Sequence, residues 1–146
     1  MNFLLRVAIE SDKEFLLNLR KLTMSEHLAN AGIHMTDAQH AERRDYRFEN
    51  AQIIEMEGES IGLLKYSRNQ TTIELSQLQI LPDWQGRGIG KTIIDYLITL
   101  SLKESRLLTL KVLKENKARH LYHRMGFEIV GEEGEEFKMA YDHRAT

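Results

Sequence analysis

The chain has 146 residues, 42% of them apolar and 29% charged, with a formal net charge of -2. A chain of this size buries roughly two-thirds of its unfolded surface, so the composition describes one globular domain over residues 1–146 and argues against disorder. The small net charge gives no electrostatic case for nucleic acid or an anionic membrane, and the lack of cysteine excludes disulfides, thiolate metal sites and a cysteine nucleophile. A cysteine-free chain fits a reducing cytoplasm.

The N-terminal stretch MNFLLRVAIESDKE holds too short an apolar run for a signal peptide, and no run reaches the ~18 apolar residues that span a bilayer. Residues 3–9 (FLLRVAI) read as a strand. Ser11 and Glu14 have capping-box spacing, and Phe15, Leu16, Leu19 and Leu22 follow at helical intervals. A second capping box, Thr36 to Gln39, opens a polar helix to about Phe48. Residues 51–56 and 60–67 flank Glu57-Gly58-Glu59, a hairpin pattern. Residues 71–81 form a longer strand. A helix from Gly88 to about Glu104 carries an apolar stripe of Ile89, Ile93, Leu97 and Leu100, widened by Ile94, Ile98 and Leu102. Residues 106–113 read as a strand. Ala118, Leu121, Tyr122 and Met125 mark a short helix with Gly126 as its stop, and FEIVGEEGEEFKMAYD reads as two strands around an acidic turn. The order β-α-α-β-β-β-α-β-α-β-β predicts an α/β (α+β) mixed sheet with helices packed on it.

The stretch DWQGRGIGKT, residues 83–92, carries the strongest chemical signal. A P-loop needs glycine at position 85, where the chain has Gln85. The dinucleotide fingerprint G-x-G-x-x-G fails too, because Gly86, Gly88 and Gly90 are spaced G-x-G-x-G. What remains is a strand, a glycine-rich turn and a helix start. Backbone N–H groups there lack intrahelical partners and lie at the positive end of a helix dipole, which suits an anion. The alternative is a plain turn with glycine for tight packing.

With its flanks, LQILPDWQGRGIGKTIIDYLI resembles the acyl-CoA-binding motif of the GNAT superfamily of N-acetyltransferases, whose Gln/Arg-x-x-Gly-x-Gly/Ala core is met by Gln85 to Gly90. Downstream, VLKENKARHLYHRMGFEIVGE is similar to a later segment of that family at Asn116, Ala118, Tyr122 and Gly126-Phe127. The resemblance is specific from about 74 to 130 and architectural before 50. It implies a central, mostly antiparallel twisted sheet with a splayed parallel strand pair and about four flanking helices. It implies acetyl-CoA (coenzyme A) as cosubstrate, with no metal, and acetyl transfer to a primary amine by direct attack on the thioester.

By the same resemblance, backbone amides of Gln85, Gly86, Arg87, Gly88, Ile89, Gly90 and Lys91 would wrap the pyrophosphate. Leu78, Gln79 and Ile80 would pair with pantetheine and supply oxyanion donors from their backbone N–H groups. Arg87, Lys91 and the segment 103–124, with seven Lys/Arg against two acids, would add attraction for phosphate, unless that segment is a solvated face. Glu74, eleven residues before Gln85, is the candidate base, set against a surface glutamate on a half-exposed strand. Strand alternation puts it on the face of Ser76, Leu78 and Ile80 unless a bulge resets the parity. Tyr122 is the candidate acid for the departing thiolate and lies near the cofactor sulfur in the family. Asn116 would hydrogen-bond pantetheine, cap its helix, or do both.

The six histidines, His27, His34, His40, His120, His123 and His143, form no ligand pair, so no metal is expected. His34 and His40 are expected as surface or packing residues, and Trp84 as packing under the loop. The cluster Glu132, Glu133, Glu135, Glu136 reads as a solvated turn. The acceptor is a small-molecule or peptide amine, and family relatives make a homodimer an expectation. Two rival readings stay open: a non-catalytic acyl-CoA-binding module, and a nucleotide-binding protein that uses 86–92 for ATP.

Overall fold

A computed structural model describes residues 2–141. They form β1 (Leu4–Val7), α1 (Lys13–Asn30), α2 (Asp37–Asp45), β2 (Ala51–Met56), β3 (Glu59–Arg68), β4 (Thr72–Ile80), α3 (Ile89–Glu104), β5 (Leu107–Leu113), α4 (Ala118–Arg124), β6 (Phe127–Glu133) and β7 (Glu136–Tyr141). This is the element order that hydrophobic periodicity predicts. The strands hydrogen-bond in the order β1-β2-β3-β4-β5-β7-β6. The β1–β2, β2–β3, β5–β7 and β6–β7 ladders are antiparallel, and β4–β5 is parallel. The expected tail strand runs, among the described residues, to Tyr141, and Asp142 and His143 lie outside them. The chain divides into two compact units, one up to Lys65 together with Gln77–Gly90, the other Tyr66–Ser76 together with Lys91 onward.

In the first unit, Leu16 and Leu19 of α1 pack with Ala8, Ala51, Ile53 and Leu63. The start of α1 differs from the sequence expectation. A 3-10 turn at Glu10–Asp12 precedes the helix, and Asp12 rather than Ser11 anchors it. The Asp12 carboxylate accepts the Ile9 N–H at 2.8 Å and takes both arms of the Arg6 guanidinium at 2.8 and 2.9 Å. A serine hydroxyl cannot satisfy a forked guanidinium and a backbone donor together. Arg6 also reaches Glu55 on β2 at 3.1 Å, so one cation ties β1, β2 and the start of α1. Beside Arg6, the Asp12 carboxyl is held below the usual carboxylate range.

The second capping box forms as expected: Gln39 N–H donates to Thr36 Oγ1 at 3.2 Å and Thr36 N–H to Gln39 Oε1 at 2.8 Å. Helix α2 stops at Asp45, short of Phe48, because Arg47 takes a left-handed φ of 50° and residues 48–50 form a 3-10 turn into β2. The β2–β3 hairpin turns on Glu57 and Gly58, both at positive φ, as a two-residue hairpin of matching twist requires.

In the second unit, β5 lies between β4 and β7, with Thr72–Leu75 in register with Leu107–Leu110. Ile93, Ile94 and Leu97 of α3 are fully buried, while Leu102, placed on the widened face by its spacing, is 46% exposed. The acidic turn is solvated as expected, and its exposed carboxylates also pair, Glu133 with Lys111 at 3.0 Å and Glu132 with Lys114 at 3.2 Å.

Gly62 on β3 is required by close approach. A Cβ there would stand 2.4 Å from the Gln79 carbonyl oxygen and 3.1 Å from Ile80 Cδ1. Gly62→Ala is expected to cost about 1–3 kcal/mol, as overpacking against backbone does, and to lower Tm by several degrees in a thermal melt.

Candidate functional site

The site begins where β4 ends. Ile80 is its last residue, Pro82–Trp84 make one 3-10 turn, and α3 starts at Ile89. Between them Gly86 and Gly88 take φ of 75° and 80°, conformations that L side chains rarely adopt. Gly90 has neither reason. It sits in the first turn of α3 at ordinary helical φ, and a Cβ there would meet nothing within 4 Å. Nor would a Cβ at Gly86. Tight packing therefore does not explain Gly86 or Gly90. A glycine inside a helix costs roughly 0.5–1 kcal/mol relative to alanine, so Gly90 is a position where stability is given up and the backbone left bare.

The loop is tied to its strand by Gln85, whose side-chain amide donates to the Ile80 carbonyl at 2.9 Å. Trp84 is half-buried, and the Arg87 guanidinium lies 4.7 Å from its ring centroid. Trp84 thus orients a cation on the loop. Just before the loop, Leu78 is half-buried and Gln79 and Ile80 are buried. Both polar atoms of the Gln79 side chain lack a protein partner. The structure therefore brings Leu78–Ile80 and Gln85–Gly90 together in one unit. Lys91 follows, exposed, and pairs with Asp95 one turn along α3 at 3.2 Å.

The other candidates belong to the second unit. Glu74 faces solvent opposite Thr109 in the parallel ladder. After Glu133 and Glu136, its charge helps raise the Lys111 ammonium above the usual lysine range. Tyr122 stacks at a tilt on Phe127, centroids 5.8 Å apart, and burial pushes its hydroxyl up from the usual tyrosine value. A tyrosine so placed keeps its proton at neutral pH. Asn116 Oδ1 accepts the Ala118 N–H at 2.9 Å, so it shapes the start of α4.

The basic segment is less available to phosphate than its composition implies. Arg106 pairs with Glu104, Lys111 with Glu133 and Lys114 with Glu132. Arg119 donates to the Lys114 carbonyl at 2.9 Å and lies over Phe137. Lys103, Lys117 and Arg124 are exposed. Among the described residues, no group of three or more His, Asp or Glu is placed to hold a metal, and no helix is long and apolar enough to cross a membrane.

A polar cluster that periodicity does not reveal lies in the first unit. Arg20, His40 and Lys65 are only 4%, 3% and 2% exposed. Lys65 interrupts the apolar strand SIGLLKYS, and that interruption is the one sequence sign of it. Its ammonium donates to the carbonyls of Arg43, Arg44 and Tyr46 at 3.4, 3.0 and 2.8 Å. It thereby satisfies the carbonyls that the last turn of α2 leaves without helical partners.

The family pattern described as "Acetyltransferase (GNAT) domain" matches residues 23–140. The chain is 35% identical over 93 residues to the spermidine N(1)-acetyltransferase of Escherichia coli K12, covering 58% of this chain and 48% of that protein. It is 37% identical over 89 residues to the [ribosomal protein bS18]-alanine N-acetyltransferase of Haemophilus influenzae, covering 58% of each. The chain thus spans about half the length of the curated relatives it matches. In fold it is similar to the PaiA N-acetyltransferase of Thermoplasma acidophilum in complex with coenzyme A, with a TM-score of 0.73, 18% identity, and coverage of 98% of this chain and 100% of that one.

Lys65 gives this framework a distinctive pH dependence. Burial, followed by the charge of Arg20, lowers its ammonium from the ordinary 10.5 to about 8. Between those values the unfolded chain holds a proton that the folded chain has released, so stability rises with pH across that window. Denaturant midpoints measured from about pH 8 to about pH 10.5 are expected to climb more in the parent chain than in Lys65→Met.

Proposed function

The chain belongs to the acetyltransferase (GNAT) family, and on that premise we propose that it transfers an acetyl group from acetyl-CoA to a primary amine by direct attack on the thioester. The observation that carries this reading is the bare backbone of the loop before α3. Gly86 and Gly88 hold positive φ, and Gly90 has neither a packing nor a conformational need to be glycine. A diphosphate is the kind of group such a backbone admits, with N–H groups and a helix dipole aimed at it. The amides of Gly86 to Lys91 would hold it, since the Gln85 N–H already donates to the Pro82 carbonyl at 3.1 Å, with Arg87 and Lys91 adding charge.

Bound acetyl-CoA supplies the activated acyl group, and the chain's own residues supply the rest. The backbone of Leu78, Gln79 and Ile80 would hydrogen-bond the pantetheine arm and polarise the acyl oxygen. Asn116 would add its side-chain amide, whose oxygen already serves Ala118. Glu74 would accept the ammonium proton, through water given its exposure. Tyr122 would protonate the leaving sulfur, a role that suits a phenol whose burial keeps it protonated. The names of the curated relatives, one for spermidine and one for a protein alanine, support an acceptor among polyamines and peptide amines. The exposure of Glu74 favours, as a second reading, a module that binds acyl-CoA without turnover.

Titration with acetyl-CoA to ~100 times its dissociation constant is expected to add roughly 2.7 kcal/mol of stability, read as a thermal shift of several degrees. ATP and NADH at the same concentration are expected to give none. A shift with ATP alone would overturn the reading. Binding without acetyl transfer across polyamines and peptide amines would select the non-catalytic module.

Tyr122→Phe is expected to lower turnover by about a hundredfold or more while largely keeping acetyl-CoA affinity. Unchanged steady-state turnover would remove Tyr122 from the acid role.

A further inference from the structure

Helix α2 is joined to the protein in an unusual way. Its sequence, DAQHAERRD, offers two alanines as its apolar side chains, and its one buried residue is His40. The His40 ring sits against α1, where its Nδ1 accepts the Arg20 Nε–H at 3.0 Å. That bond requires a neutral ring with its proton on Nε2. Further polar side-chain links join α1 to α2. Lys21 pairs with Asp37 at 3.1 Å, Lys13 with Asp45 at 3.3 Å, and Arg44 donates to the Lys13 carbonyl at 3.2 Å. From β3, Lys65 holds the carbonyls at the helix end. An amphipathic helix of ordinary kind docks by an apolar stripe, which no proton alters. This one docks by a titratable ring.

We propose that α2 is an acid-released strap, held on α1 while His40 is neutral and let go when the ring is protonated. A protonated ring has no lone pair at Nδ1 for Arg20, and the two groups become like charges in contact. The charges that face the ring are Arg20 and Lys21 from α1 and Asp37 from its own helix. Arg43 of α2 acts on Arg20. Around Lys65 stand Arg20, Asp45, Glu49 and Arg43. Cations dominate the buried part of this set, since Arg20 and Lys65 are buried while Asp37 and Asp45 are exposed.

Burial, then Arg20, holds the His40 ring below the ordinary 6.5. With the docked value depressed, the docking contribution is complete above the ordinary histidine value and is lost as pH falls through the docked one. Lys65, also depressed, acts in the same sense at higher pH, so neither group pulls the strap back as the solution acidifies.

The test is hydrogen exchange of the α2 amides, corrected for intrinsic rates, between about pH 7.5 and about pH 5. The parent chain is expected to lose protection several-fold over residues 37–46, while β2 and the interior of α3 hold theirs. In His40→Asn, whose Oδ1 still accepts from Arg20 but does not titrate, α2 protection is expected to stay level. Constant protection in the parent chain, or an equal loss in His40→Asn, would overturn the proposal. If the variant does not fold, the His40 ring resonances of the parent chain decide. Their titration midpoint must coincide with the loss of α2 protection, and a separate midpoint overturns the proposal equally.

Discussion

Strands β4 and β5 are neighbours and run parallel, and that constraint organises the chemistry of this chain. A tight turn cannot join parallel strands; the chain must cross back, and a helix is the compact way to do it. Helix α3 is that crossover. The turn after Ile80 therefore has to deliver the chain into a helix N-terminus at the carboxyl end of a strand. A helix N-terminus carries backbone donors without intrahelical partners, and its dipole is positive there. Gly86 and Gly88 take up this imposed geometry, and Gln85 ties the turn back to the strand it leaves.

Away from the loop, charged side chains do much of the joining. Arg6 clamps two strands and the start of α1 through Asp12 and Glu55, and Lys65 closes the end of α2. A buried charge is costly unless its donors are used, and Lys65 uses its ammonium on three backbone carbonyls. As proposed above, the attachment of α2 then depends on protonation state. The core of the same unit, built from Leu16, Leu19, Ile53 and Leu63, has no such dependence.

The contrast between the two capping boxes shows what a local pattern is able to settle. Thr36 and Gln39 need only each other, so spacing alone predicts their bonds. Ser11 and Glu14 have the same spacing, but Asp12 wins because an arginine six residues earlier, on a strand, reaches it. The acidic turn behaves alike. Glu132 and Glu133 read as solvated in sequence, and their partners, Lys111 on β5 and Lys114 just past its end, lie about twenty residues away. In the candidate site, the glycine loop and the short helix around Tyr122 are legible as motifs. The solvent-facing setting of Glu74 and the engagement of most of the basic segment are not.

By itself the sequence determined the order of elements, the glycine turn before α3, and the family to which these motifs point. Each rests on residues near one another along the chain, where periodicity, capping and turn chemistry act locally. Tertiary structure alone decided that Gly90 stands in open space, that His40 is the one buried side chain of α2, and that Lys65 bonds the carbonyls at the end of that helix. Those facts depend on which groups meet across long chain separations. A side chain's spacing along its own element says which face it takes, but not what waits there.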